Sequence, residues 1–272
     1  MSKKIVIIGD VAFETTVIGD SSIRSLGGSG FYSAIGSLAT NHKNFTLITS
    51  VGTDFDFLTL DKLGINREGI SVIHNEKTAC FTTEFINPND RIFRSDLGAL
   101  KSPDFTIIKN HLQSTIIFLS GSNPNMQLKW IKHIKGYNFY GKIAVDLFED
   151  YCEKYPLETK KVIELSDIVF LNEVERKLIC NDKIFSNKIC ILKKGSKGAI
   201  YSSPNKTINI TPTISCTAVD TNGAGDILAG AFLSMLLSVG SITHALQTAV
   251  NIATLSVSKH GVYHILEEND HL

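Results

Sequence analysis

Short apolar runs alternate along this chain with longer stretches whose apolar residues recur at helical spacing. Residues 5–8, 46–49, 115–119, 143–146, 168–171 and 189–192 are continuous Ile/Val/Leu/Phe-rich runs of strand length. Runs of that kind between helices predict parallel strands covered on both faces. The helical pattern predicts helices over 30–41, 54–64, 123–135, 156–164, 173–180, 226–238 and 241–259. Strands alternating with helices give a layered α/β class.

Two segments break this rhythm. Residues 11–26 follow directly on the first strand, and 78–94 read as two extended arms around Asn87-Pro88-Asn89-Asp90. The second has the composition of a hairpin. Such strands would form a small extra sheet over the strand ends, which is where open α/β sheets bind ligands. Asp10, Asn172, Lys193 and Gly195 lie at or just after strand ends and are candidates by position. A strand-end aspartate such as Asp10 serves equally well as a turn cap.

Composition narrows the function. The chain has 272 residues, with 27 Lys plus Arg against 27 Asp plus Glu. That balance gives no nucleic-acid footprint. Cys80, Cys152, Cys180, Cys190 and Cys216 are odd in number, scattered and without a CxxC pair. They predict neither a disulfide framework nor a cysteine zinc site. His260 and His264 are four apart but Gly261 interrupts the helix that would pair them. The apolar stretch at 227–239 is too short for a bilayer, and the N-terminal apolar run is a strand rather than a signal peptide. A cytoplasmic protein without membrane contact is the expectation.

The chemistry concentrates in Asp220-Thr221-Asn222-Gly223-Ala224-Gly225-Asp226, placed directly before an apolar helix. Small residues there let a ligand approach unpaired helix-start amides, which makes an anion cradle. Asp226 would repel bound phosphate if the loop only bound it. It makes sense as the base for a hydroxyl attacking a γ-phosphoryl group, with the 223–226 amides stabilising the transferring oxygens. The alternative is a plain helix cap. Two other phosphate devices fail. In Gly136-Tyr137-Asn138-Phe139-Tyr140-Gly141-Lys142-Ile143, Ile143 replaces the P-loop hydroxyl and the segment precedes a strand. In Gly28-Ser29-Gly30-Phe31-Tyr32-Ser33, Ser33 replaces the last glycine of a dinucleotide fingerprint.

These motifs resemble the ribokinase-like (PfkB) carbohydrate kinases. The 220–226 stretch matches that family's D-T-x-G-A-G-D signature. Gly27-Gly28-Ser29-Gly30, with Ala34 beyond it, resembles its glycine-rich substrate signature. Asn172-Glu173-Val174-Glu175 matches its N-x-x-E, and 192–198 resembles the strand-loop before the nucleotide. The resemblance implies a three-layer α/β fold with a central, mostly parallel sheet. It implies one kinase domain over 1–272, with a β lid from about 11–26 and 78–95. It further implies Asp226 as catalytic base and Gly223, Ala224 and Gly225 as anion hole. Asn172 and Glu175 would organise Mg2+ through water. Lys193 and Gly195 would lie by the ATP phosphates, and Asn251 by the adenosine. Asp10, Gly27 and Gly28 would hold acceptor hydroxyls. Many relatives use a monovalent cation such as K+ to order the anion hole.

Tyr32 stands where ribokinase has asparagine, which argues against ribose. Its ring would stack on an acceptor or turn into the core. Arg94 is a further acceptor candidate unless merely solvated. The implied function is ATP-dependent phosphorylation of a hydroxyl on a small sugar, polyol or nucleoside. Nucleoside kinase, inositol kinase and a catalytically silent nucleotide-binding regulator are the alternatives. A homodimer through the lid would use Phe81, Phe85 and Ile86.

Overall fold

The computed structural model describes residues 4–87, 90–180 and 182–267. The chain opens with strand β1 (Ile5–Ile8), the strand pair β2 (Ala12–Ile18) and β3 (Ser21–Gly27), and helix α1 (Ser29–Leu38). Next come β4 (Phe45–Gly52), α2 (Leu58–Lys62), β5 (Ile70–Ile73), and a second pair, β6 (Ala79–Asn87) and β7 (Asp90–Asp96). The middle of the chain supplies β8 (Ile116–Leu119), α3 (Pro124–Gly136), β9 (Lys142–Asp146), α4 (Glu149–Lys154) and α5 (Pro156–Leu165). Then follow β10 (Ile168–Asn172), α6 (Glu173–Ile179), β11 (Ile189–Lys193), β12 (Ala199–Ser203) and β13 (Lys206–Ile210). The last described elements are α7 (Ala224–Val239), α8 (Ile242–Ser256) and α9 (His264–Glu267).

The strands form two sheets. The larger has nine, in the order β13-β12-β11-β10-β9-β8-β1-β4-β5. Every neighbouring pair from β11 across to β5 is parallel, and β12 and β13 add an antiparallel edge. The parallel strands were legible because both faces are covered. Ile5 and Ile7 point into the core under α1, α7 and α8, while Val6 and Ile8 point into the core under α3 to α6. The second sheet has four strands, β3-β2-β6-β7, built from the two segments that break the βα rhythm. Pro88 and Asn89 of the expected hairpin turn, and the tail beyond Glu267, lie outside the described residues.

The strand order creates the crevice. From β1 the chain moves one way to β4 and β5, then returns to β8 on the other side. The carboxyl ends of β1 and β8 therefore flank a topological switch point. Ser29 and Ser120 meet there, with their hydroxyls 2.8 Å apart.

One helix contact governs what faces that crevice. Helices α1 and α7 cross with almost no side chain between them. A Cβ on Gly36 would overlap the backbone of Ile227, and one on Gly230 would overlap the backbone of Ser33. The Ser37 hydroxyl donates to the Gly230 carbonyl at 3.3 Å. Gly230→Val is therefore expected to cost roughly 1–3 kcal/mol by overpacking and to lower the melting temperature by roughly 3–10 °C. Gly136→Ala is the control. That helix-end position has open space around it, so scanning calorimetry should show no loss of stability.

Candidate active site

Asp226 is the third residue of α7, not its cap. The N-cap is Gly223, in the left-handed region at φ 72°, and no side chain caps the helix. The Ala224 amide donates to the Thr221 carbonyl at 3.4 Å, which leaves the Gly225 and Asp226 amides of the first turn for an external acceptor. Asp220 shapes the approach: its carboxylate accepts from the Asn222 amide at 3.1 Å and the Gly261 amide at 3.4 Å.

Lys193, the last residue of β11, reaches the same place. Its ammonium donates to both oxygens of Asp146, at 2.7 and 2.8 Å. Asp146 ends β9 and is fully buried, and it also accepts from the Leu147 amide at 2.9 Å. Burial alone would pull the Lys193 ammonium down. The carboxylates of Asp146, Glu175 and Asp226 outweigh that and hold it above the ordinary lysine range. The ammonium also lies against the first turn of α7, only 3.2 Å from where a Cβ on Gly225 would stand.

Asn172 and Glu175 form a capping box. The Asn172 side chain accepts from the Val174 and Glu175 amides, each at 2.8 Å, and Glu175 accepts from the Asn172 amide at 2.7 Å. The box starts α6 and pins the Glu175 carboxyl at the mouth of β10. Burial, then the neighbouring Asp146 against the partial relief of Lys193, pushes Glu175 up to about 7.

On the opposite wall, the Asp10 carbonyl accepts from the Gly30 and Phe31 amides at 3.0 and 3.1 Å. This bonds the end of β1 to the start of α1. Burial pushes the Asp10 carboxyl up to about 7. Glu14, on β2, accepts from the Gly28 amide at 2.9 Å and from the Tyr32 hydroxyl at 2.7 Å. A Cβ on Gly27 would collide with the Glu14 carboxylate, and one on Gly223 would collide with the Tyr32 ring. Tyr32 is thus buried against the start of α7 with its hydroxyl engaged. It forms cavity wall, with one ring face already covered.

These groups surround a cavity of about 590 Å³. Asp10, Gly28, Tyr32, Glu175, Lys193, Gly223 and Asp226 line it, with Phe81, Thr83 and Ser95 of the smaller sheet, and Leu97 just after it, as its roof. Asp226 is partly buried at its floor. Burial first, then Asp146, Glu14 and Asp10, raise its carboxyl well above the ordinary aspartate range, with Lys193 opposing.

Other expected residues lie elsewhere. Arg94 does not reach the cavity. It is exposed on the other face of β7 and pairs with Glu84 at 2.7 Å, because strand alternation turns its neighbour Ser95 inward instead. Asn251 sits on α8, where it donates to the Thr213 hydroxyl at 2.8 Å and accepts from the Thr213 amide at 3.1 Å. Gly195 opens the turn after β11 at φ 56°, outside the cavity lining. Phe81 turns into the cavity, Ile86 is exposed, and the Phe85 side chain is outside the described residues. Among the cavity residues outside the expected site set, Asp146 and Glu14 are hydrogen-bonded to members of it. Asp146 ends a parallel strand, a signal the sequence does carry. Glu14 sits in β2 beside Thr15 and Thr16, where nothing in the local pattern singles it out.

Among the described residues, no three carboxylate, histidine or cysteine side chains gather closely enough to chelate a metal. No described helix is long and apolar enough to cross a membrane.

Comparison with known proteins agrees with this architecture. The cytidine kinase of Thermococcus kodakarensis is 24% identical over 247 residues, which cover 85% of this chain and 87% of that one. The ATP-dependent ribose-1-phosphate kinase of Halopiger xanaduensis is 29% identical over 107 residues, 37% of this chain and 36% of that one. The structure of Burkholderia thailandensis nucleoside kinase in complex with inosine superposes with a TM-score of 0.81 at 19% identity, covering 98% of this chain and 95% of that one. The family model of the pfkB family carbohydrate kinases matches residues 5–269, and the chain belongs to that family.

Proposed function

We propose that this chain transfers the γ-phosphoryl group of ATP to a hydroxyl of a small sugar, polyol or nucleoside, with Asp226 as the base. The observation that carries the reading is the first turn of α7. Uncapped amides, the Lys193 ammonium and a carboxylate that caps nothing converge on one end of the cavity. In this reading residues 1–272 act as one kinase domain, and the segments at about 11–26 and 78–95 close over the acceptor.

Asp226 takes the proton of the acceptor hydroxyl as that oxygen forms its bond to the γ-phosphorus. The bond from the γ-phosphorus to the bridging oxygen of ADP breaks. The amides following Gly223 hold the charge on the transferring oxygens. Lys193 adds a positive charge that Asp146 fixes in place. Asp10, whose carboxyl is pushed to about 7, donates to and accepts from acceptor hydroxyls. The smaller sheet excludes water.

The residues fit a magnesium nucleotide. Uncapped amides and an ammonium suit phosphate oxygens, and Glu175 spends one oxygen on its cap while the carboxyl lines the cavity. Magnesium bound there through water and phosphate oxygens would neutralise charge on the phosphates. In this reading the nucleotide approaches from the side of Lys193, with Gly195 and Asn251 beyond the cavity lining.

The test is acceptor-dependent ADP release across pentoses, hexoses, inositols and nucleosides. Asp226→Asn should lower kcat by roughly 100- to 10,000-fold, the usual contribution of a positioned base. Its melting temperature should be held or raised, because the substitution removes a carboxylate that burial disfavours. Retained turnover in Asp226→Asn would sink the base assignment.

The raised carboxyls also set a pH dependence of stability. Asp10 and Glu175 move from the ordinary 3.8 and 4.5 to about 7 in the folded protein. Between those limits the native state holds more protons than the unfolded chain, so stability falls as pH rises. Thermal melts of the ligand-free protein from about pH 4.5 to about 7.5 should show that decline. Asp10→Asn should flatten it in part, and an unchanged slope would overturn the assignment.

A further inference from the structure

The family relatives named above differ in whether their acceptor already carries a phosphate. The charge distribution of this cavity bears on that choice, given the kinase reading on which it rests. Among the described residues that line the cavity, Lys193 is the one Lys, Arg or His side chain. It is committed at the phosphoryl-transfer end, held by both oxygens of Asp146 and set against the first turn of α7.

The carboxylates divide into two groups. Asp146 and Glu175 both act on Lys193, and Glu149 acts on Glu175. They suit the nucleotide and its cation. Asp10, Glu14 and Asp150 belong to the acceptor end. Glu14 is bonded to Gly28 and Tyr32 of the glycine-rich segment. Asp10 follows β1, and both Asp10 and Asp150 act on the Tyr151 hydroxyl. Asp226 lies between the groups and feels Asp146 from one and Glu14 and Asp10 from the other.

No basic residue among those described offsets the acceptor group. Arg94 pairs with Glu84 on the outer face of the smaller sheet. Arg24, on β3, lies over the Phe13 ring with its guanidinium carbon 4.1 Å from the centroid. Neither lines the cavity. The remaining acceptor-side wall is hydroxyl and aromatic: Thr15, Thr16, Thr83, Ser95, Phe148 and Tyr151. Hydroxyls and rings serve a neutral polyhydroxylated molecule. A phosphate there would lose its water and meet carboxylates with no cation to pair with.

We propose that this site selects acceptors without a phosphate or other anionic group, and that an ammonium group on the acceptor is tolerated or favoured. Asp150 is the residue through which that selection is most readily changed. It is exposed at the cavity rim, so its substitution leaves the core untouched.

The test compares neutral sugars with counterparts that carry a charged group at one position: D-ribose against D-ribose 1-phosphate, and D-glucose against D-glucosamine and D-glucose 6-phosphate. Acceptor-dependent ADP release with MgATP and calorimetric binding in the presence of MgADP are measured for each. Phosphorylated members should show kcat/KM and affinity at least about tenfold below their neutral partners, as like-charge juxtaposition requires. D-glucosamine should match or exceed D-glucose, with any advantage shrinking as salt is added. Asp150→Lys should narrow the gap for phosphorylated sugars. A phosphorylated sugar used as well as its neutral partner by the unmodified protein overturns charge selection and leaves the kinase reading intact. Unchanged discrimination in Asp150→Lys overturns the role of Asp150. Absence of acceptor-dependent ADP release across the panel, with Asp226→Asn indistinguishable from the unmodified protein, removes the kinase reading and this proposal with it.

Discussion

The crossing of α1 and α7 at Gly36 and Gly230 is the constraint on which the rest of the site depends. With almost no side chain between them, the two helix backbones cannot slide without collision. Their first turns are consequently held together, with Tyr32 of α1 lying on Gly223 of α7. One helix start is bonded to the end of β1 through the Asp10 carbonyl. The other carries Asp226. The two walls of the cavity are thus positioned by close packing, which transmits displacement far more stiffly than a long polar side chain would.

Electrostatics adds a second layer of order. Burial raises the carboxyls of Asp10, Glu14, Glu175 and Asp226, and for the last three a neighbouring carboxylate adds to the cost. Lys193 relieves part of that cost, and its two bonds to Asp146 keep it there. Removing either partner would leave the other as an unpaired buried charge. The ion pair therefore ties the end of β11 to the end of β9, two strands away in the sheet.

Much of this was legible in the sequence. The parallel strands announced themselves because burial on both faces leaves no polar alternation. The loop before α7 was recognisable because a close backbone approach admits so few residue types. The edge strands β12 and β13 and the short β5 were missed, since threonine, asparagine and serine interrupt their apolar positions at a half-exposed margin. Helix α7 begins two residues earlier than the apolar pattern predicts, and that shift decides that Asp226 is not the cap. Arg94 was misplaced because sequence alone does not fix strand phase: Ser95 took the inward position. Glu14 was invisible for a related reason. A lone carboxylate in a mixed strand has no distinguishing neighbour until the fold brings Gly28 and Tyr32 to it.

The capping box at Asn172 and Glu175 carries a consequence for reading descent. Those two side chains are needed to begin α6 whether or not any nucleotide is ever bound. A descendant that had abandoned phosphoryl transfer would still be selected to keep them, because losing them would fray a helix start. Their presence alone would therefore not report phosphoryl transfer. In such a lineage Asp226, which closes no turn and caps no helix, would be the first residue released to drift.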